Sequence, residues 1–216
     1  MSGHEADTWD ERAELYRTSE AHAQGADLDL LVAWAGGCAT ALDVATGGGH
    51  VARRLRDAGV EVVTCDPAPG MRPDVICHAE DLPFADSAFD LTVTRVAAHH
   101  FADVHAAVRE LARVAARRVI VVDTMFMGDR VEEAEAIRDP SHVRNYSESE
   151  WRELFADAGL VPAEVQVLVH PIDFRAWLER TGCTGEAAER VTALLADRIE
   201  GGRLRMERIA LRAELA

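Results

Sequence analysis

The chain has 216 residues, 23 Lys+Arg and 38 Asp+Glu, for a formal net charge of −15. The length suits one domain with at most a small cap. The charge excludes a surface that tracks nucleic-acid phosphates, which needs clustered cations, and there is no polybasic stretch to meet an anionic membrane face.

In chain order, apolar spacing predicts helices over 9–16 and 28–35, then a strand over 41–45 that runs into Gly47-Gly48-Gly49. A helix over 50–58 closes at Gly59, and a second strand over 60–65 ends at Asp66-Pro67. A brief third strand is predicted over 74–77, and Pro67, Pro69 and Pro73 preclude a regular helix before it. A strand over 89–94, a helix over 103–114 and a strand over 118–122 follow. Ser147-x-x-Glu150 is a capping box for a helix over 151–158. A strand over 161–169, helices over 174–180 and 186–199, and a strand over 204–213 complete the pattern. Strands alternating with helices predict an α/β fold, a doubly wound, mostly parallel sheet with N-terminal helices and a late helical cap. Residues 1–216 are expected to form a single domain: N-terminal helices over 1–36, a core over 37–170, a cap over 171–201 and a final strand over 202–216.

Residue types narrow the chemistry. There is no lysine, so a protein Schiff base and a GxxxxGK[ST] phosphate loop are both excluded. Cys38, Cys65, Cys77 and Cys183 form no CxxC pair, which removes zinc-knuckle and dithiol readings. No apolar run reaches membrane-spanning length and the start lacks a signal-peptide core, so a cytoplasmic protein with reduced thiols is expected.

The strongest local signal is Leu42-Asp43-Val44-Ala45-Thr46-Gly47-Gly48-Gly49-His50, an acid on a strand followed by a glycine turn into a helix. Gly47 and Gly49 let backbone approach a ligand where a Cβ would collide. Asp66, at the end of the next strand, suits both hydroxyls of an adenosine ribose. The turn alone is ambiguous, because Gly47-x-Gly49-x-x-Ala52 also satisfies a dinucleotide fingerprint and would fit an NAD-dependent oxidoreductase. Asp43 argues against a pyrophosphate and suits a ligand bearing an ammonium group.

Together with Ala79-Glu80-Asp81-Leu82-Pro83-Phe84-Ala85-Asp86-Ser87-Ala88-Phe89-Asp90-Leu91 and the later His99-His100-Phe101, these residues resemble class I S-adenosylmethionine-dependent methyltransferases. The likeness is to the ubiquinone/menaquinone C-methyltransferase-like type that acts on small molecules. It implies a seven-stranded Rossmann-like sheet, N-terminal lid helices, S-adenosyl-L-methionine as cofactor and S-adenosyl-L-homocysteine as product. It implies that the backbone at Ala45, Gly47 and Gly49 holds the methionine part, with Asp43 near its amino group. Asp66 takes the ribose, Ala79 and Glu80 flank the adenine, and the Arg95 carbonyl meets the amino group. Tyr16 is a further candidate on a lid helix, equally readable as packing. Ala45 stands where a glycine is usual, which an alanine can mimic if φ stays negative.

For the partner, a small-molecule methyl acceptor is expected. His100 and then His142 are the candidate general bases, since an unperturbed histidine titrates near working pH. His99, Phe126, Phe174 and Trp177 are candidate acceptor contacts, each also readable as ordinary packing. No metal site is expected, because no ligand spacing completes one around the histidine pair. A cofactor-binding protein of this fold without methyl transfer remains the alternative at this point.

Overall fold

A computed structural model describes Trp9, Ala13, Glu14, Arg17, Thr18 and residues 23–215. Its strands are β1 (Thr40–Val44), β2 (Glu61–Asp66), β3 (Val75–Ile76), β4 (Phe89–Arg95), β5 (Ala115–Thr124), β6 (Pro162–Asp173), β7 (Ile199–Glu200) and β8 (Arg203–Glu214). They form one sheet in the order β3-β2-β1-β4-β5-β8-β6, with β7 pairing β8 off that path. The run from β3 to β5 in that order is parallel, and β8 lies antiparallel between β5 and β6. This is the doubly wound, mostly parallel sheet expected, with a two-residue strand added to the seven.

The helices are α1 (Ala26–Trp34), α2 (His50–Asp57), α3 (Val104–Val114), α4 (Asp129–Arg138), α5 (Glu148–Asp157), α6 (Phe174–Glu179) and α7 (Gly185–Leu194). Strand side chains alternate between two buried faces. Leu42, Val44, Val119 and Val121 pack with Leu111 of α3 and with Trp151 and Phe155 of α5. Ala41, Leu91, Val93, Ile120 and Val122 pack with Leu28 and Leu31 of α1 and Val51 and Leu55 of α2. Covering both faces is what makes these strands read as nearly continuous apolar runs. The capping box forms as expected: Ser147 N–H donates to Glu150 Oε2 at 2.8 Å, and Glu150 N–H to Ser147 Oγ at 3.3 Å.

Two elements differ from expectation. α4 was not anticipated, although Val131, Ala134 and Ile137 recur every three residues along it. The helix expected over 186–199 stops at Leu194, because a 3-10 turn (Ala196–Arg198) leads Ile199 into a β7–β8 hairpin. Its turn is Gly201-Gly202, with φ of +56° and +77°, which side-chain-bearing residues adopt only under strain. The proline-rich interval after Asp66 holds one 3-10 turn (Pro69–Met71) and the short β3. Tyr16 lies outside the described residues. Among the described residues no helix is long and apolar enough to cross a membrane.

Ala45 does not keep a negative φ: it sits at +54°, and Val96 after β4 sits at +56°. For L-residues this conformation costs roughly 1–2 kcal/mol, and both positions line the same cavity at the ends of adjacent strands. Strain stored at such a place points to a site. Ala45→Gly relieves it at the expense of about 0.5–1 kcal/mol of unfolded-state freedom. The expected result in thermal unfolding is a Tm equal to or up to a few degrees above the parent. A clear drop would show that the alanine is not strained.

Candidate active site

One cavity spans the C-terminal ends of β1, β2 and β4, the crevice where doubly wound sheets bind ligands. Gly47 and Gly48 of the glycine turn line it and Gly49 does not; Gly47 sits at φ +50° and Gly49 at +72°. A Cβ placed on Gly47 would meet no atom within 4 Å, so the backbone there borders open space. Asp43 is buried under the turn and accepts from Thr46 Oγ at 2.6 Å and from Ala52 N–H at 3.1 Å. Burial pushes its carboxyl up to about 6, against the lowering effect of Thr46. Asp66 accepts from Gly47 N–H through Oδ2 at 2.9 Å and from Ala68 N–H through Oδ1 at 3.0 Å. One carboxylate thus ties the end of β2 to the glycine turn. An acid at the strand end, an uncluttered glycine backbone and a second acid beneath it fit a nucleoside carrying an ammonium group.

Ala79 and Glu80 line the cavity, as does His78, which sequence reading did not single out. Glu80 Oε1 accepts from Ala102 N–H at 2.9 Å and Asp103 N–H at 3.4 Å, just ahead of α3. Arg95 also carries more than its carbonyl. Its Nε donates to Asp27 Oδ2 at 2.7 Å, and Arg208 Nη1 donates to the same oxygen at 2.7 Å. Trp9 borders the cavity and packs edge-on against His100, with centroids 4.9 Å apart.

The histidine pair divides its work. His99 Nδ1 meets Asp123 Oδ1 at 2.6 Å, and His99 N–H donates to Asp123 Oδ2 at 2.8 Å. Burial alone lowers the His99 pKa, but the Asp123 carboxylate more than reverses this, and the net direction is up. His100 faces the Ser141 carbonyl at 3.0 Å; burial and the neighbouring His99 hold its pKa down at about 3. His100 is therefore neutral at working pH and a weak base, contrary to its ranking from sequence. Asp123, at the end of β5, was missed because a lone acid on an apolar strand carries no motif.

Of the remaining expected residues, Trp177 lines the cavity, whereas Phe126, Phe174 and His142 are not among its lining. His142 instead meets Glu132 Oε2 at 3.1 Å in a row behind His99, whose ring is 5.6 Å away. Glu132, Glu135 and His142 bring ligand-type atoms within 4.8 Å of one another, a grouping not anticipated, and the Asn145 amide bridges the two carboxylates. Phe126 follows β5, where its N–H donates to the Tyr146 carbonyl at 3.1 Å. Phe174 stacks on Trp177 at 6.0 Å from outside the pocket. Trp177 is buried among Val131, Val191 and Met206, so it both anchors the cap and borders the cavity. Trp177→Leu is expected to lower the Tm by several degrees, while Phe174→Leu, half-buried and outside the lining, changes it less. Equal losses in differential scanning calorimetry would show that Trp177 is not the anchor.

A sheet of this order, with a glycine turn after β1 and an acid at the end of β2, defines the class I methyltransferase architecture, and the comparisons agree. The family described as a methyltransferase domain matches residues 42–122. YcgJ, an uncharacterized methyltransferase of Bacillus subtilis (strain 168), is 32% identical, the match covering 83% of this chain and 80% of that protein. The crystal structure of YcgJ covers 87% of this chain and 97% of its own at a TM-score of 0.78 and 28% identity. The Bacillus halodurans C-125 protein BH2331 covers 88% and 99% at 0.79 and 28%. The chain belongs to the class I S-adenosylmethionine-dependent methyltransferases. Its cofactor is S-adenosylmethionine.

Proposed function

We propose that the protein moves the methyl group of S-adenosylmethionine to an oxygen, nitrogen or carbon nucleophile of a small organic molecule by in-line displacement, releasing S-adenosylhomocysteine. One observation carries this reading: the Gly47–Asp66 cradle, the His99–His100 wall and Trp177 border a single cavity, so a cofactor end and an acceptor end are continuous. The bound cofactor supplies a methyl carbon activated by its sulfonium. The chain mainly aligns the partners, for which reacting atoms must come within about 3–3.5 Å. In this reading Asp66 accepts from the ribose, backbone at Ala45, Gly47 and Gly49 holds the amino-acid part, and Asp43 and the Arg95 carbonyl face its ammonium. Ala79 and Glu80 flank the adenine.

Where the acceptor must lose a proton, His99 takes it. With Nδ1 engaged by Asp123, Nε2 is the ring atom left for the cavity, and Asp123 stabilises the imidazolium that forms. A base works deprotonated, so the rate should rise with pH along a limb centred above the ordinary histidine value of 6.5. Asp123→Asn removes the group that raises His99 and should move that limb to lower pH while lowering its plateau. A limb that stays in place would remove His99 from this role.

The reading is tested with methyl-labelled cofactor, the purified protein and a small-molecule extract, followed by mass spectrometry. A labelled small molecule is expected. Cofactor binding without any labelled product would favour a cofactor-binding protein of the same fold. No binding of S-adenosylhomocysteine at millimolar concentration would sink the cofactor assignments above.

A further inference from the structure

Arginines from four elements reach the acceptor end of the cavity: Arg95 from the end of β4, Arg208 from β8, Arg138 from the end of α4 and Arg180 just after α6. In a chain of net charge −15 this is a local concentration of cations. Arg95 and Arg208 are buried, with side chains 3% and 6% exposed, and share a single oxygen of Asp27. Asp27 stands on α1 and is not part of the cavity lining, so the shared carboxylate holds the two guanidiniums from the side away from the cavity that Arg95 and Arg208 line. Arg138 is fixed as firmly: its Nε donates to the Trp177 carbonyl at 2.9 Å and its guanidinium lies 4.3 Å from the Trp177 ring centroid.

The acids on the same wall are already engaged. Glu135 accepts from the Asn145 amide, and burial pushes its carboxyl up, towards the neutral form. Asp139 accepts from Ser141 N–H at 3.2 Å and from Ser141 Oγ at 2.7 Å. His170 borders the cavity too, and burial with the nearby Arg208 charge lowers its pKa to about 4, so it adds no competing cation near neutral pH. Burial lowers Arg208 itself to about 10, which Asp27 resists and Arg95 reinforces. A cation held out of water beside another is the arrangement that an oxyanion stabilises most.

The surroundings shape the rest of the ligand. On β8, Arg208, Met206 and Leu204 share one face, opposite Leu168, His170 and Ile172 of β6. Met206, Ile172 and Trp177 therefore give the cavity apolar walls beside its cations.

We propose that the methyl acceptor is an anion, a carboxylate or phosphate ester with an apolar body, whose oxyanion is held by Arg208 with Arg95, Arg138 and Arg180. This rests on the methyltransferase reading above. The test measures S-adenosylhomocysteine binding first, then titrates benzoate, phenyl phosphate and uncharged methyl benzoate by calorimetry into loaded and unloaded protein. Benzoate or phenyl phosphate should bind and methyl benzoate should not. Arg208→Gln and, as a second variant away from the buried Asp27 pair, Arg180→Gln should each weaken the anion by roughly tenfold. Both should leave S-adenosylhomocysteine affinity within about twofold of the parent. Failure of both anions to bind, equal binding of methyl benzoate, or undiminished anion binding by both variants overturns the proposal, the last meaning an adventitious ion only. Loss of S-adenosylhomocysteine binding would count against the cofactor assignments instead, and the unloaded titration would still decide the anion.

Discussion

Replacing Asp27 by alanine should destabilise the protein by about 3–5 kcal/mol, the usual loss when one partner of a buried ion pair is removed. In a chain of this size that amounts to roughly 10 °C in Tm. Asp27 is 2% exposed, and both of its ion-pair distances are 2.7 Å, so the alanine variant leaves Arg95 and Arg208 facing one another without their shared counter-charge. Asp29→Ala is the matched control on the same helix. Its pair with Arg54 is open to solvent, with Asp29 64% exposed, and surface pairs contribute about 0–1 kcal/mol. The acid limb follows with its sign. Burial pushes Asp27 up, but the Arg208 and Arg95 charges outweigh it and bring its pKa from 3.8 to about 2. Its contribution is thus complete above about pH 4 and is lost as pH falls towards 2. Thermal unfolding of the two alanine variants checks this. An Asp27→Ala protein as stable as Asp29→Ala would mean that α1 is not what holds the arginines.

The second large effect is on the cofactor. Asp66→Ala should weaken S-adenosylhomocysteine by about 100-fold or more, since charge-assisted hydrogen bonds are worth roughly 1.5–3 kcal/mol each and 1.4 kcal/mol is tenfold. The variant loses the proposed ribose acceptor, and it also releases Gly47 N–H and Ala68 N–H, so the glycine turn loses its tie to β2. Asp81→Ala, fifteen positions further along on an exposed turn, should change affinity by less than about twofold. Isothermal titration of the two variants separates them. Equal affinities would put the ribose elsewhere.

The proposed cofactor half of the site was legible because it is written locally. Asp43, the glycine turn and Asp66 lie within 24 residues and sit on predicted strand ends, where chain order alone brings them together. The conformation of Ala45 was not legible: its left-handed φ is imposed by the turn around it rather than by its own side chain. The proposed acceptor half was read only in part. Trp177 lines the cavity, while Phe174 and Phe126, chosen for the same aromatic character, do not. The buried ion group joins Asp27, Arg95 and Arg208, residues separated by 68 and 181 positions, and no spacing rule connects them. Similarly, the ranking of His100 over His99 turned on Asp123, 24 residues beyond His99 and visible only once β4 and β5 are paired. The missed α4 had a readable apolar period, but its acidic composition disguised it as surface loop.

The position of β8 sets the order in which this chain can fold. Residues 203–214 are inserted between β5 and β6, so β5 keeps an open edge and β6 has no strand neighbour until they dock. The strand pairings they make reach back as far as Arg118 paired with Glu214, a long loop closure that slows folding. During that wait β6 is a free strand, and Val167 and Val169 remain exposed on it even in the finished protein, at 45% and 56%. Unpaired edges of this kind seed association between chains. In pulse-labelling hydrogen exchange, amides of β6 and β8 should gain protection together and after those of β1, β2 and β4. Raising the chain concentration during refolding should cost yield in that same interval.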